Sequence, residues 1–429
     1  MADAFYNGFP IVYSDTATYL SSGFELETPV DRPITYGLFI RAASLNGLSL
    51  WAVIFFQSLL LSYLIFLFIK LISEDRPFFL PGIMIILFLS LFTGISWTSS
   101  QLIADIFTPI AFLSLAIILF FNIKLKTGIF LFLIYFIAVS MHMSHILLFS
   151  SLLVIIYLAK KILFKKEDHK RVRLHIGILF ALTLSSILTM GSAISKSKDV
   201  FMMGAMIEQG ITQQYLNEYC GTRNYKLCAY KDSLPNTLGA FVWHTDSPFY
   251  KTGGWSAENR KELNDIIFAT LTEPKYIKLH IEASLKATGR QLTGFNIFDG
   301  NVAYPAGTPL FERISKYVPN DVKCYKDAKQ NQGGFPIVGN ANTLYDIILV
   351  ISTLCILLVL FLKNKKLEGY RSIAIVFLLA ILLNAWDAAT FSCVSSRFGC
   401  KMMWLIPFFL GIVAIRFYTD SQQRKLLAK

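Results

Sequence analysis

The apolar residues of this chain gather into runs of about 17 to 23, long enough to cross a hydrocarbon core roughly 30 Å thick. They predict nine spanning helices: Leu50 to Ile72, Phe79 to Ile95, Ile106 to Ile123, Gly128 to Met143, His145 to Lys160, Leu174 to Ala193, Leu344 to Leu362, Ser372 to Asp387 and Met402 to Phe417. Two segments break the pattern, residues 1–49 and a loop of about 150 residues between Ala193 and Leu344. The expected organisation is an N-terminal segment 1–49, a six-helix region 50–193, a loop domain 194–343, and a three-helix region with its tail, 344–429. The loop carries two amphipathic stretches. Leu263, Ile266, Ile267 and Leu271 share a face after a capping Ser256, and Ile277, Ile281, Leu285, Thr288 and Leu292 recur every three or four residues after Pro274. Two readings stand for them: helices lying on the membrane surface, or helices packed on the rest of the loop as a small soluble domain.

Composition agrees with an all-α polytopic membrane protein. Apolar residues make up 54% and charged residues only 16%, against about 25% charged in soluble proteins. A cytosolic enzyme of two or three domains is excluded. The net charge of +12 would suggest nucleic-acid binding if it were evenly spread. It is not. Of the 40 Lys and Arg, 19 fall in the connectors 70–76, 122–127, 160–173 and 363–371 and the tail from Arg416, against six acids there; elsewhere 21 basic residues balance 22 acidic ones. This asymmetry follows the positive-inside rule, so these connectors face the cytoplasm and the loop domain faces out. The expected partner is a bilayer, with no nucleic acid.

Residues 1–49 then lie outside with no apolar helix before them. Either this segment, with two Arg and five acids, crosses unaided, or a tenth helix precedes Met1. The second is the expectation, since it would place both termini inside. Five cysteines, Cys220, Cys228, Cys324, Cys393 and Cys400, fall on or near the outer side, where thiols oxidise. Cys220 and Cys228 flank a turn-prone Gly221-Thr222-Arg223-Asn224 and suit a local disulfide; Cys393 with Cys400 is a second candidate pair. Spacing alone does not set connectivity.

Ionisable residues at the membrane boundary are the sharpest chemical clue, because in lipid they are costly and usually face a cavity. Asp105, His142, His145, Asp346, Asp387, Arg397 and Lys401 all sit at the outer ends of predicted helices. Singly each reads as an anchor or cap; together on one side they suggest a site. Mid-membrane polar residues such as Gln57 and Asn384 are neutral, so no chain of titratable groups crosses the bilayer as a proton-coupled transporter would often need. The N-terminal segment adds carboxylates beside aromatics: Tyr13-Ser14-Asp15 with Tyr19, then Asp31-Arg32-Pro33-Ile34-Thr35-Tyr36. It has no phosphate-binding Gly-rich loop and no serine-hydrolase elbow. A carboxylate here can take a proton from a sugar hydroxyl while a tyrosine face holds the ring. The structural alternative is that Ser14 and Asp15 cap a short helix running to about Ser22.

These residues resemble the GT-C superfamily of membrane glycosyltransferases, which includes the polyprenyl-phosphate-sugar-dependent arabinosyl- and mannosyltransferases. The resemblance is carried by Asp15 in the first outer loop, by Arg32 to Tyr36 leading into the next helix, like the family's Arg/His-Pro-Pro-x-Tyr pattern, and by Asp105-Ile106-Phe107-Thr108-Pro109 opening a later helix. It covers roughly the first 160 residues. The chain departs from the family in lacking a helix before the first loop and in having Ser14-Asp15 where a double carboxylate is common. The resemblance implies inverting transfer of a sugar from a polyprenyl-phosphate donor to an extracytoplasmic lipid or glycan, in a cell membrane of the bacterial inner-membrane kind. Asp15 would be the general base, with Asp31 or Asp105 as alternatives. Asp105 would orient the acceptor or assist a divalent metal. Arg32, Arg397 and Lys401, with His145, would hold the departing phosphate, and Tyr13, Tyr19 and Tyr36 the substrate. Competing readings are another transferase or polymerase of lipid-linked glycans, or a transporter or flippase.

Overall fold

The computed structural model describes residues 1–73, 77–335, 338–362 and 367–427, and among these every regular element is helical. Glu74, Asp75, Arg76, Lys363, Lys365 and Lys366 of the expected basic connectors lie outside the described residues. The N-terminal segment forms α1 (Ala2–Asn7), α2 (Ser14–Glu25) and α3 (Thr35–Ala43). Next come α4 (Leu50–Ser73), α5 (Phe79–Phe92), α6 (Ile95–Ser100), α7 (Phe107–Phe120), α8 (Leu125–Val139), α9 (Ser144–Leu163), α10 (His169–Ser185) and α11 (Ile187–Glu208). The long loop holds α12 (Ile211–Tyr219), α13 (Leu238–Trp243), α14 (Pro248–Lys251), α15 (Ala257–Thr272), α16 (Pro274–Thr293), α17 (Pro309–Tyr317) and α18 (Val322–Asp327). The chain closes with α19 (Val338–Phe361), α20 (Glu368–Phe391), α21 (Ser396–Met403) and α22 (Leu405–Leu427).

All nine apolar runs fold as helix, but not as nine equal ones. Among the described residues five stretches are long and apolar enough to cross a membrane: α4, α9, most of α19, α20, and Ser396–Phe417 across α21 and α22. Helices α5, α7 and α8 have only 14, 14 and 15 residues. The sixth run is broken, α10 and α11 meeting at 51°. The break has a local cause. Hydroxyls of Ser185, Ser186 and Thr189 donate to carbonyls three residues back, at 2.9, 2.6 and 2.8 Å, and so compete with the helical ladder.

Helix α7 is buried on every side from Phe107 to Leu119, as expected of an apolar helix enclosed by others. Around it Phe68 of α4 meets Phe121, Phe377 and Phe408 at 5.2, 5.8 and 5.7 Å. The outward faces of α5 and α19 expose Met84, Leu87, Leu91, Val350 and Leu354, side chains suited to lipid. Gln57 inside α4 is fully used. It donates to the carbonyls of Ser99 and Gln101 at 2.9 and 2.8 Å and accepts from the Tyr36 hydroxyl at 3.2 Å.

Residues 194–343 divide between two cores. Val200, Met203, Tyr215, Phe241, Phe249, Leu263, Ile266 and Tyr276 build a separate apolar core. Leu310, Ile314, Val318 and Tyr325 join the main one instead, with Tyr317 stacked on Phe24 of α2 at 4.8 Å. Asp321 caps α4, accepting from the Leu50 amide at 2.6 Å. The two amphipathic stretches part company. Ser256 caps α15 through the Asn259 amide at 3.2 Å, and Leu263, Ile266 and Ile267 are buried. On α16, Ile277, Ile281 and Leu285 remain exposed. Cys220 and Cys228 form a disulfide. The second candidate pair is absent: Cys393 and Cys400 are free thiols, Cys400 pointing to Thr98 and the Gly94 carbonyl because α21 packs on α6 at that point.

Candidate functional site

The N-terminal segment, α11, α20 and α21 meet around one cavity. Its first wall is set by α2. The Tyr13 amide donates to Thr16 Oγ1 at 3.0 Å, and that hydroxyl donates to the Leu102 carbonyl at 3.0 Å, so the first turn of α2 is fixed beside the turn that opens α7. Thr16, not Ser14 or Asp15, does the capping, which leaves the Asp15 carboxylate for other contacts. Helices α2 and α3 touch at glycines: a Cβ on Gly23 would overlap the Gly37 carbonyl. That approach brings Tyr19 edge-on to Tyr36 at 4.8 Å.

The opposite wall is α21. Ser395 just before it is held at both backbone groups by Gln291, at 2.9 and 2.8 Å, and Asn384 donates to the Phe398 carbonyl at 2.8 Å. Arg397 and Lys401, four residues apart, therefore project from one face toward α2.

Six charges then alternate in a continuous chain. Asp31 Oδ2 receives Arg32 Nε and Nη2 at 2.9 and 2.6 Å; Arg32 Nη1 lies 3.1 Å from Asp15 Oδ1; Arg397 Nη1 donates to Asp15 Oδ2 at 3.0 Å. Beyond it Arg397 Nε stands 3.1 Å from Asp105 Oδ2, and Lys401 Nζ donates to Asp105 Oδ1 at 2.9 Å. The Arg397 Nε–H is not aimed at its neighbour, so that link is a charge contact and not a hydrogen bond. Asp105 and Lys401 are the buried end, with side chains 3% exposed, whereas Asp15 is 26% exposed. Burial pushes the Asp15 carboxyl up, and Arg32 and Arg397 more than reverse that push, holding it well below the usual carboxylate range.

The cavity measures about 560 Å³ and has two characters. Asp15, Tyr19, Asp31, Arg32, Arg397 and Lys401 make up a charged and aromatic part of its lining, and Ile187, Ile194, Met202, Leu238, Trp243 and Phe391 an apolar part. Of the ten residues given a role from sequence four do not line it, and neither does the boundary residue Asp346. Asp105 stands behind Arg397 and Lys401. Tyr36 stands behind Tyr19. Tyr13 lies 5.4 Å below the Arg397 guanidinium, its hydroxyl donated to the Asp299 carbonyl at 2.5 Å. His145 is fully buried with both ring nitrogens engaged, by Thr108 Oγ1 at 2.8 Å and the Ala138 carbonyl at 2.9 Å. In its place His142 reaches the cavity, its Nδ1 2.8 Å from Ser144 Oγ, with Asp387 nearby and Lys198 on α11 at the rim. His142 and Asp387 were visible as boundary ionisable residues. Nothing local marks Ser144 or Lys198.

A divalent cation does not suit this donor set. Among the described residues no three His, Cys, Asp or Glu side chains come together to hold a metal, and the carboxylates of the chain already face guanidinium and ammonium groups. No protein-family model, curated protein or solved structure matches this chain.

Proposed function

We propose that the protein is an integral membrane glycosyltransferase that moves a sugar from a polyprenyl-phosphate donor to an extracytoplasmic lipid or glycan acceptor. The observation that carries this reading is the single cavity whose lining combines an Arg- and Asp-rich group with an apolar one. A lipid phosphate has the same two parts. In this reading all nine apolar helices cross the bilayer, the three short ones and the bent pair included, with residues 194–343 outside.

The donor phosphate sits between Arg32 and Arg397, whose planar forks suit phosphate oxygens, and the first prenyl units lie along Ile187, Ile194 and Met202. The acceptor oxygen bonds to the anomeric carbon as the carbon–oxygen bond to phosphate breaks. The leaving polyprenyl phosphate gains negative charge, which the two arginines stabilise more in the transition state than in the ground state. The acceptor proton goes to a carboxylate, Asp15 first. In the resting site Asp15 is a weak base, because the same arginines hold it ionised. A donor phosphate that draws on Arg32 and Arg397 loosens that hold and makes Asp15 more basic. Substrate binding and base activation are thereby one event.

The test is transfer by the purified protein from a panel of polyprenyl-phosphate sugars, radiolabelled in the sugar. Label should appear in a lipid or glycan acceptor with release of polyprenyl phosphate. No transfer and no donor binding across the panel would count against a lipid-phosphate substrate altogether; donor binding without transfer would favour a flippase.

A further inference from the structure

Helix α16 presents three faces where a soluble-domain helix presents two. Tyr276, Ala287, Thr288 and Gln291 are buried against the protein. Lys278, Glu282, Lys286 and Arg290 form an exposed charged row. Between the two runs a third stripe, Ile277, Ile281 and Leu285, 38, 55 and 69% exposed. Spaced four apart, the three cover an arc of about 80°. Water is a poor neighbour for such a stripe, and the helix is not free to turn it away.

Two contacts fix the level of α16. Ser284 Oγ shares a hydrogen bond of 2.7 Å with Thr390 Oγ1, in the last turn of α20. Beyond the C-terminal end of α16, on the same side, Phe295 packs edge-on against Tyr345 at 5.7 Å, in the second turn of α19. Both α20 and α19 are long and apolar enough to cross a membrane. The C-terminal end of the stripe therefore stands where two spanning helices reach the membrane surface, and Leu344 and Ile347 of α19 are exposed at that level. The charged row beside it begins with Lys278, whose stem can lie along lipid while its ammonium group meets headgroup phosphates.

We propose that α16 is a lipid-contacting helix, with Ile277, Ile281 and Leu285 set against the headgroup–acyl boundary of the leaflet on the loop-domain side. Lipid is the occupant. Helix α15 turns Leu263, Ile266 and Ile267 into the second core and is not part of this surface. The inference does not depend on the glycosyltransferase reading.

The experiment uses the full chain in nanodiscs of phosphatidylcholine brominated on its acyl chains. A small fluorophore is attached to Ile281→Cys or Leu285→Cys, with Glu282→Cys and Lys286→Cys as neighbours on the charged row. All carry Cys324→Ser, since Cys324 is an exposed free thiol, and signal from the parent Cys324→Ser protein is subtracted. Bromine quenches only at contact range, so fluorescence at 281 and 285 should fall about twofold relative to unbrominated lipid, with little change at 282 and 286. Equal quenching at all four positions, or none at 281 and 285, would overturn the proposal, the latter meaning that water or a protein partner covers the stripe. Each variant replaces an exposed side chain, and an unchanged melting temperature confirms that the fold is retained.

Discussion

Arg397 Nη1 and Asp15 Oδ2 are 3.0 Å apart in the fold and 382 residues apart in the chain. This contact joins the N-terminal segment to the last helices and closes the cavity between them. Each partner is also shared, Asp15 with Arg32 and Arg397 with Asp105. An anionic ligand entering the site meets no idle arginine. It must compete with carboxylates for the guanidinium groups, and this coupling shapes what substitutions should do.

Asp15→Asn keeps the side-chain shape and removes the charge. If Asp15 takes the acceptor proton, turnover should fall about 10²- to 10⁴-fold. Stability should fall by only about 1–2 kcal/mol, since Arg32 keeps Asp31 and Arg397 keeps Asp105 when Asp15 is neutralised. Turnover and melting temperature of the purified variant check both. Turnover near that of the wild type would move the base to Asp31 or Asp387.

The buried end of the chain should respond differently. Lys401→Met leaves Asp105 with Arg397 alone, in a site where both side chains are 3% exposed. Loss of one partner from a buried pair costs about 3 kcal/mol, while removal of both is often near neutral. The double variant Asp105→Asn/Lys401→Met should therefore melt above Lys401→Met. A double variant less stable than the wild type by the full sum of the two separate losses would show that the pair is not coupled.

Long apolar runs are a signal of composition, and all nine are legible as helix. Their unequal lengths and the break at Ser186 are not, because hydroxyl back-bonding bends a helix without changing its hydropathy. Of the site, the sequence supplies the charges but not their pairing. Asp15, Arg32, Asp105, Arg397 and Lys401 stand out at predicted helix ends, yet contacts between residues 15, 105 and 397 depend on tertiary packing that no local pattern records. His145 is a false lead of the same origin. It and His142 lie in one turn, and only packing decides that His145 faces Thr108 while His142 faces the cavity. The amphipathic period of α16 is equally clear in sequence, but which arc is buried depends on where Ser284 meets Thr390.

The touch between α2 and α3 gives a steric prediction. Gly23 and Gly37 meet so closely that a Cβ on either would strike the other's helix backbone. Gly23→Ala should destabilise by about 1–3 kcal/mol and separate Tyr19 from Tyr36, displacing the loop that holds Asp31 and Arg32. Gly239→Ala, where nothing lies within reach of a Cβ, is the control. Equal melting temperatures for the two variants would show that the helices have room to part.

Topology is checked by labelling single cysteines in intact cells. Positions in 194–343 should react with an impermeant maleimide and positions in 160–173 should not. Mass mapping without reductant should join the Cys220 and Cys228 peptides and leave Cys393 and Cys400 unpaired. Labelling of both regions from one side would end the nine-span arrangement.

The pH dependence of transfer tests whether substrate binding activates Asp15. In the empty site its pKa lies below the usual carboxylate range, because Arg32 and Arg397 outweigh burial. The sign follows from that direction. The carboxylate stays ionised through neutral and mildly acid pH, and the stability it contributes is present above the ordinary value of about 3.9 and lost only as pH falls from there toward the depressed one. The profile of kcat/KM reports the free enzyme, so Asp15 should give it no acid limb between about pH 5 and 8. The profile of kcat reports the complex. There the donor phosphate shares the two arginines, the opposing burial counts for more, and the pKa rises. The acid limb of kcat should thus appear at higher pH than that of kcat/KM, and Asp15→Asn should abolish it in whatever turnover remains. Superimposable profiles for the wild type would mean that the phosphate leaves the Asp15 ion pairs intact, and a different group would then have to receive the proton.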